Sequence, residues 1–169
     1  LRYLNGKLVS AETRGNGIEG EDITHNALVI PSIPNQINYE KELIVDGEII
    51  CLAHNFVPFA EEYANSRNFA AGSIRLLDSK ECAKRNLTFV AWDVVKGGRY
   101  NYLSNNLADL RAKGFITVPC SINGTVEENI EQLKQWAKNE SYPIDGIVFK
   151  YDNIISINFT VFSKYSNLF

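Results

Sequence analysis

The stretch "ELIVDGEII", Glu42 to Ile50, alternates with a period of two, which is the signature of a β-strand with two distinct faces. Ile44, Asp46, Glu48 and Ile50 fall on one face, and Val45, Gly47 and Ile49 on the other. Two carboxylates on one face of a strand are costly to bury unless a cation, a metal or hydrogen-bond donors meet them. The strand is therefore either an edge washed by solvent or the wall of a polar site. Gly47 leans toward a site, because a glycine lets another group lie against the backbone.

Working outward, β-branched and aromatic clusters between turn residues predict this strand over Glu42 to Cys51 and further strands at Lys7 to Ala11, Leu87 to Val95 and Ile144 to Tyr151. A mixed sheet is expected. Helical patterns lie between the strands. Val126 to Asn139 places Ile130, Leu133 and Ala137 on one face, and Thr125 with Glu128 forms a capping box. Leu103 to Lys113 carries Leu103, Leu107 and Leu110 on one stripe, with Gly114 as its stop. A third helix is predicted from Asn55, with Phe56, Phe59, Ala60 and Tyr63 as its apolar face and Pro58 in its first turn. Strands interspersed with helices give an α+β (mixed α/β) class, and residues 1–169 read as a single domain without repeats or linkers.

With 45% hydrophobic and 22% charged residues, the chain is suited to one folded core and not to disorder or fibre. No stretch reaches the roughly 20 apolar residues of a membrane span, and no signal peptide opens the chain, so the cytoplasm is the expected location. A net charge of −3 gives no global attraction to nucleic acid, so any such binding must be local. Cys51, Cys82 and Cys120 are too scattered for a disulfide framework or a zinc site, and read as free thiols. The absence of methionine points to a fragment or a trimmed product.

Three further segments carry chemistry. "TRGNGIEGEDITHN", Thr13 to Asn26, packs three glycines, three acids and Arg14 into fourteen residues, either as a surface hairpin or as a loop that approaches a ligand closely. "NSRNFAAGSIRLLD" flanks the small run Ala70-Ala71-Gly72-Ser73 with Arg67 and Arg75, which are either surface arginines or a phosphate site beside a helix start. In "SYPIDGIVFKYDN", Lys150 shares a strand face with Ile144, Gly146 and Val148. That lysine either snorkels to water or holds an anion from the floor of a cleft.

Taken in order, these blocks resemble the adenylation (nucleotidyltransferase) domain of NAD⁺-dependent DNA ligases. Tyr3, Asn5, Gly6 and Leu8 match the family's Tyr-x-Asn-Gly-x-Leu, and Thr13 to Asn26 its Thr-Arg-Gly-Asp-Gly-x-x-Gly-Glu-Asp-Val-Thr-x-Asn block, with Ile33-Pro34 following. Gly47-Glu48-Ile49, Tyr63 to Asp78 and Ile144 to Lys150 are similar to its later blocks. The resemblance implies a ligase-type nucleotidyltransferase fold of mainly antiparallel sheets flanked by helices. It also implies the sealing of nicks in duplex DNA, in replication and repair, through lysine-AMP and DNA-adenylate intermediates, with NAD⁺ as AMP donor and Mg²⁺. Lys150 is then a phosphate-holding charge stabiliser, Asp145 shapes the site beside it, and Glu48 serves the ribose or the metal. Arg14 lies by the AMP ribose, and Arg67 and Arg75 face phosphates or nicked DNA. The partners implied are nicked double-stranded DNA and the remaining ligase domains, on the full chain or a second subunit.

The sequence departs from the family pattern at Asp46, where arginine is usual, and at Asn16, Ser66 and Phe69. Asp46-Gly47-Glu48 instead resembles a block of ATP-dependent ligases, which keeps a relative of that class as one alternative. A degenerate ligase-like subunit that binds nucleotide or DNA without catalysis is another. The nucleophilic Lys-x-Asp-Gly block is expected one or two strand lengths before Tyr3, and the final lysine motif beyond Phe169. No OB-fold, zinc finger, helix-hairpin-helix or BRCT module is expected within these residues. The chain alone is expected not to adenylate itself.

Overall fold

A computed structural model describes residues 1–15, 19–140, 142–143 and 146–157. The alternating stretch forms β3, Leu43–Ile50, and lies inside a four-stranded sheet of order β2-β1-β3-β4, with β1 at Arg2–Leu4, β2 at Lys7–Ser10 and β4 at Thr88–Lys96. All three neighbouring pairs are antiparallel, so the named strands form an antiparallel sheet and not the mixed one expected from the strand pattern. The short strand β1 escaped the periodicity reading because three residues carry too little pattern. Its signal is the turn that follows it. Asn5 and Gly6 both have positive φ, 49° and 76°, as a two-residue hairpin turn demands.

Among the described residues seven α-helices accompany the sheet: α1 Thr24–Ala27, α2 Ala53–Phe56, α3 Ser66–Ser73, α4 Ser79–Lys84, α5 Leu103–Ala112, α6 Val126–Glu140 and α7 Ile154–Ile157. Helix α5 ends where Gly114, at φ 94°, can take the left-handed conformation. Thr125 and Glu128 close the capping box of α6: Thr125 N–H donates to Glu128 Oε2 at 2.8 Å, and Glu128 N–H to Thr125 Oγ1 at 3.2 Å.

The core lies on one face of the sheet, where Tyr3, Val45, Phe89 and Ala91 meet Phe69 of α3 and Leu107 and Leu110 of α5. Phe69 is ringed by Phe56, Phe59 and Tyr63 at centroid distances of 5.8, 4.4 and 5.0 Å. Tyr3 meets Phe115 edge-on at 5.6 Å and donates its hydroxyl to Pro34 O at 2.8 Å. Burial pushes its phenol pKa up.

Two further sequence expectations need correction. The helix predicted from Asn55 is instead α2 followed by a 3₁₀ turn at Val57–Phe59. Pro58 lacks an amide donor and crowds the carbonyl four residues back, so the α-helical ladder cannot run through it. The aromatic residues still reach Phe69. The strand predicted at Ile144 to Tyr151 does not form over residues 146–151, and Ile144 and Asp145 lie outside the described residues. Extended sequence becomes a strand only when a neighbour completes its hydrogen-bond ladder, and none does so among the described residues.

Candidate functional site

Directly opposed residues of an antiparallel pair share a face, so the register of β3 with β4 decides which side chains stand together. Ile44 faces Lys96, Asp46 faces Asp93, Glu48 faces Val90 and Ile50 faces Thr88. Between Asp46 and Gly47 the partner jumps from Asp93 to Ala91, which leaves Trp92 as the extra residue of a β-bulge. The bulge turns Asp93 onto the face that carries Asp46 and Glu48. Both β3 carboxylates are exposed there, away from the core.

Lys150 meets this face through Asp93: its Nζ donates to Asp93 Oδ2 at 2.9 Å. The other carboxylate oxygen, Oδ1, accepts the Val94 N–H at 2.8 Å. Further along the same face, Glu42 accepts from Arg2 Nε at 2.8 Å and pairs with Lys96 Nζ at 2.5 Å. Lys96 first, then Arg2, hold the Glu42 carboxyl below its ordinary pKa. Beside Lys150 an open hollow is lined by Asp93, Leu103, Phe149, Tyr151 and Ile154. Its lining joins the charged pair Asp93 and Lys150 to apolar and aromatic side chains.

The opposite side of β3 explains Gly47 differently from the sequence reading. A Cβ there would sit 2.3 Å from Phe89 Cζ and 2.6 Å from Val90 O, so the space is filled by the ring of Phe89 and not left for a ligand.

The other sequence candidates are placed as follows. Arg75 pairs with Glu21 of the glycine-rich loop, and its Nη1 donates to Ala71 O at 3.1 Å. Arg67 lies in the first turn of α3 and is exposed, as is Arg14 in the glycine-rich loop. The small run Ala70 to Ser73 forms the second half of α3 and not a helix start; the start is capped by Asn65, whose side chain accepts the Asn68 N–H at 2.8 Å. Asp145 lies outside the described residues. Asp93 was not singled out from sequence, although an acid inside the apolar run "FVAWDVV" is the same signal that marked Asp46 and Glu48.

Residues 1–163 match the family model described as "NAD-dependent DNA ligase adenylation domain". The chain belongs to this family. The DNA ligase of Helicobacter hepaticus is 38% identical over 172 residues, which cover 92% of this chain and 26% of that protein. The DNA ligases of Clostridioides difficile and Bacillus cytotoxicus are 38% and 39% identical, each over 91% of this chain and 25% of their own length. This adenylation-domain chain thus spans about a quarter of the curated relatives it matches. Its mixed α/β architecture, an antiparallel sheet flanked by helices, agrees with the fold that the resemblance implied.

No helix among the described residues is long and apolar enough to cross a membrane. Among the same residues no three His, Cys, Asp or Glu side chains converge as a metal cage.

Proposed function

We propose that this chain is part of the adenylation domain of an NAD⁺-dependent DNA ligase that seals nicks in duplex DNA during replication and repair in the cytoplasm. The observation that carries the reading is Lys150 standing at the carboxylate face of β3 and β4 in a chain that matches the family over residues 1–163.

The chemistry is attack of a lysine on the adenylyl phosphorus of NAD⁺ with nicotinamide mononucleotide leaving, transfer of the AMP from the lysine to the 5′-phosphate at the nick, and displacement of AMP by the 3′-hydroxyl, so negative charge on phosphate oxygens must be met by cations. Lys150 supplies one: it uses a single N–H on Asp93 and has donors left for an anion. Glu48, exposed on the same face of β3 as Asp46, serves the ribose or the metal in this reading. Asp145, five positions before this lysine in sequence, serves the site beside it in this reading. Arg14 serves the ribose end, and Arg67 and Arg75 serve phosphate or DNA, with Arg75 tied back to the glycine-rich loop by Glu21. Where Mg²⁺ accompanies the substrate phosphates, Glu48 would be the residue to hold it, and the ion would supply further positive charge against the phosphate oxygens. No Lys-x-Asp-Gly occurs in the 169 residues, so the attacking lysine comes from outside them, on the same chain or on a partner with the remaining ligase domains.

The test incubates the complete protein with a nicked duplex and either NAD⁺ or ATP. Sealing with NAD⁺ supports the reading. Sealing with ATP alone would move the protein to the ATP-dependent class that Asp46-Gly47-Glu48 resembles, and DNA binding without sealing would leave a non-catalytic subunit.

A further inference from the structure

We infer that Asp93 is a positioning residue for Lys150. The inference rests on the proposed role of Lys150 at the nucleotide phosphate. The backbone around Lys150 does not fix its ammonium group: residues 146–151 form neither strand nor helix, and the side chain is a flexible four-carbon stem that is 44% exposed. What locates Nζ is its bond to Asp93 Oδ2 at 2.9 Å. Asp93 is itself fixed, because it stands on a paired strand and its Oδ1 accepts the Val94 N–H at 2.8 Å. The order of control runs from the β4 backbone to a carboxylate and from there to an ammonium.

The bulge at Trp92 makes this possible. Without the extra residue the alternation of β4 would turn position 93 to the core side of the sheet, away from Lys150. Ion pairs this exposed contribute little to stability, so the pair has small value as a structural clasp. Its geometry suits a positional task instead. One N–H of Lys150 is spent on Asp93, and two remain for an anion. Asp46, opposite Asp93, adds negative charge that keeps the ammonium against the sheet.

The experiment measures single-turnover adenylation of the complete protein at saturating NAD⁺ for Asp93→Ala, Asp93→Asn, Lys150→Ala and the Asp93→Ala/Lys150→Ala double variant. Asp93→Ala is expected to slow adenylation by roughly ten- to a hundredfold, the scale of a misplaced catalytic group, with an unchanged thermal midpoint. Asp93→Asn keeps the shape but only one acceptor oxygen, so it cannot serve Val94 and Lys150 together and is expected to slow the step as well. The double variant is expected to be no slower than Lys150→Ala, because Asp93 acts through that lysine. A rate within about twofold of wild type for both Asp93 variants, beside an inactive Lys150→Ala, would overturn this inference alone. Fully multiplicative losses in the double variant would also overturn it, by making Asp93 independent of Lys150. A wild-type rate for Lys150→Ala would remove the proposed role of Lys150 and this inference with it.

Discussion

The side-chain amide of Asn26 donates to two backbone carbonyls, those of Ile74 and Leu76, each at 2.7 Å. His25 reaches the same Leu76 carbonyl through Nε2 at 2.9 Å, and Glu21 of the same loop pairs with Arg75. Two sequence blocks about fifty positions apart, the glycine-rich loop and the segment after α3, are therefore one structural unit. Asn26 is fully buried at its centre, with 0% of its surface exposed.

Asn26→Ala should therefore destabilise the fold by about 1–3 kcal/mol, since it leaves buried carbonyls without their donor. Asn26→Asp should cost more, because a carboxylate would face two carbonyl oxygens. Urea denaturation of both variants checks the order, and equal stability for Asp and Ala would contradict it.

Gly47→Ala tests the Phe89 packing. The added methyl group meets the ring at 2.3 Å and the Val90 carbonyl at 2.6 Å, and overpacking of this kind costs about 1–3 kcal/mol. For a chain of 169 residues that is a fall of roughly 2–4 °C in thermal midpoint per kcal/mol. Combining it with Phe89→Leu should recover part of the loss, whereas additive losses would show that the ring is not the obstacle.

Acid should weaken the outer face of the sheet at Glu42. Its carboxyl is held below the ordinary 4.5 by Lys96 and Arg2, so its stabilising contribution is complete above that value and disappears as pH falls through the lowered folded pKa. Thermal midpoints followed from about pH 7 to about pH 3 should decline less steeply in Glu42→Gln than in wild type. Parallel curves would remove Glu42 from the account.

In the complete protein, Lys150→Ala should abolish adenylation, read as loss of the AMP mass increment on the intact chain. Residues 1–169 alone should acquire no such increment with NAD⁺, because no Lys-x-Asp-Gly nucleophile occurs in them. An adduct on this segment would refute that expectation.

Much was legible in the sequence because it depends on local periodicity or local chemistry. The alternation of Glu42 to Ile50 predicted β3 and its acidic face, the Thr125/Glu128 pair predicted the start of α6, and the leucine stripe with Gly114 predicted α5. The ordered motif blocks pointed to the ligase adenylation family that residues 1–163 match.

Other features depend on partners distant in the chain. Whether the run up to Lys150 becomes a strand depends on a neighbour to complete its ladder, which periodicity does not encode. Phe89 filling the space at Gly47, Arg75 turning to Glu21, and Asn26 clasping residues 74 to 76 all follow from packing between segments. The register of β3 against β4, with its bulge at Trp92, was decided only in three dimensions, since a shift of one residue exchanges the faces of a strand. The family, the acidic strand and the presence of Lys150 are legible in the residues alone. That Asp93 is the residue to which that lysine is bound follows from the fold, because the packing of the segment around Lys150 against β4, and not nearness in sequence, brings the two side chains together.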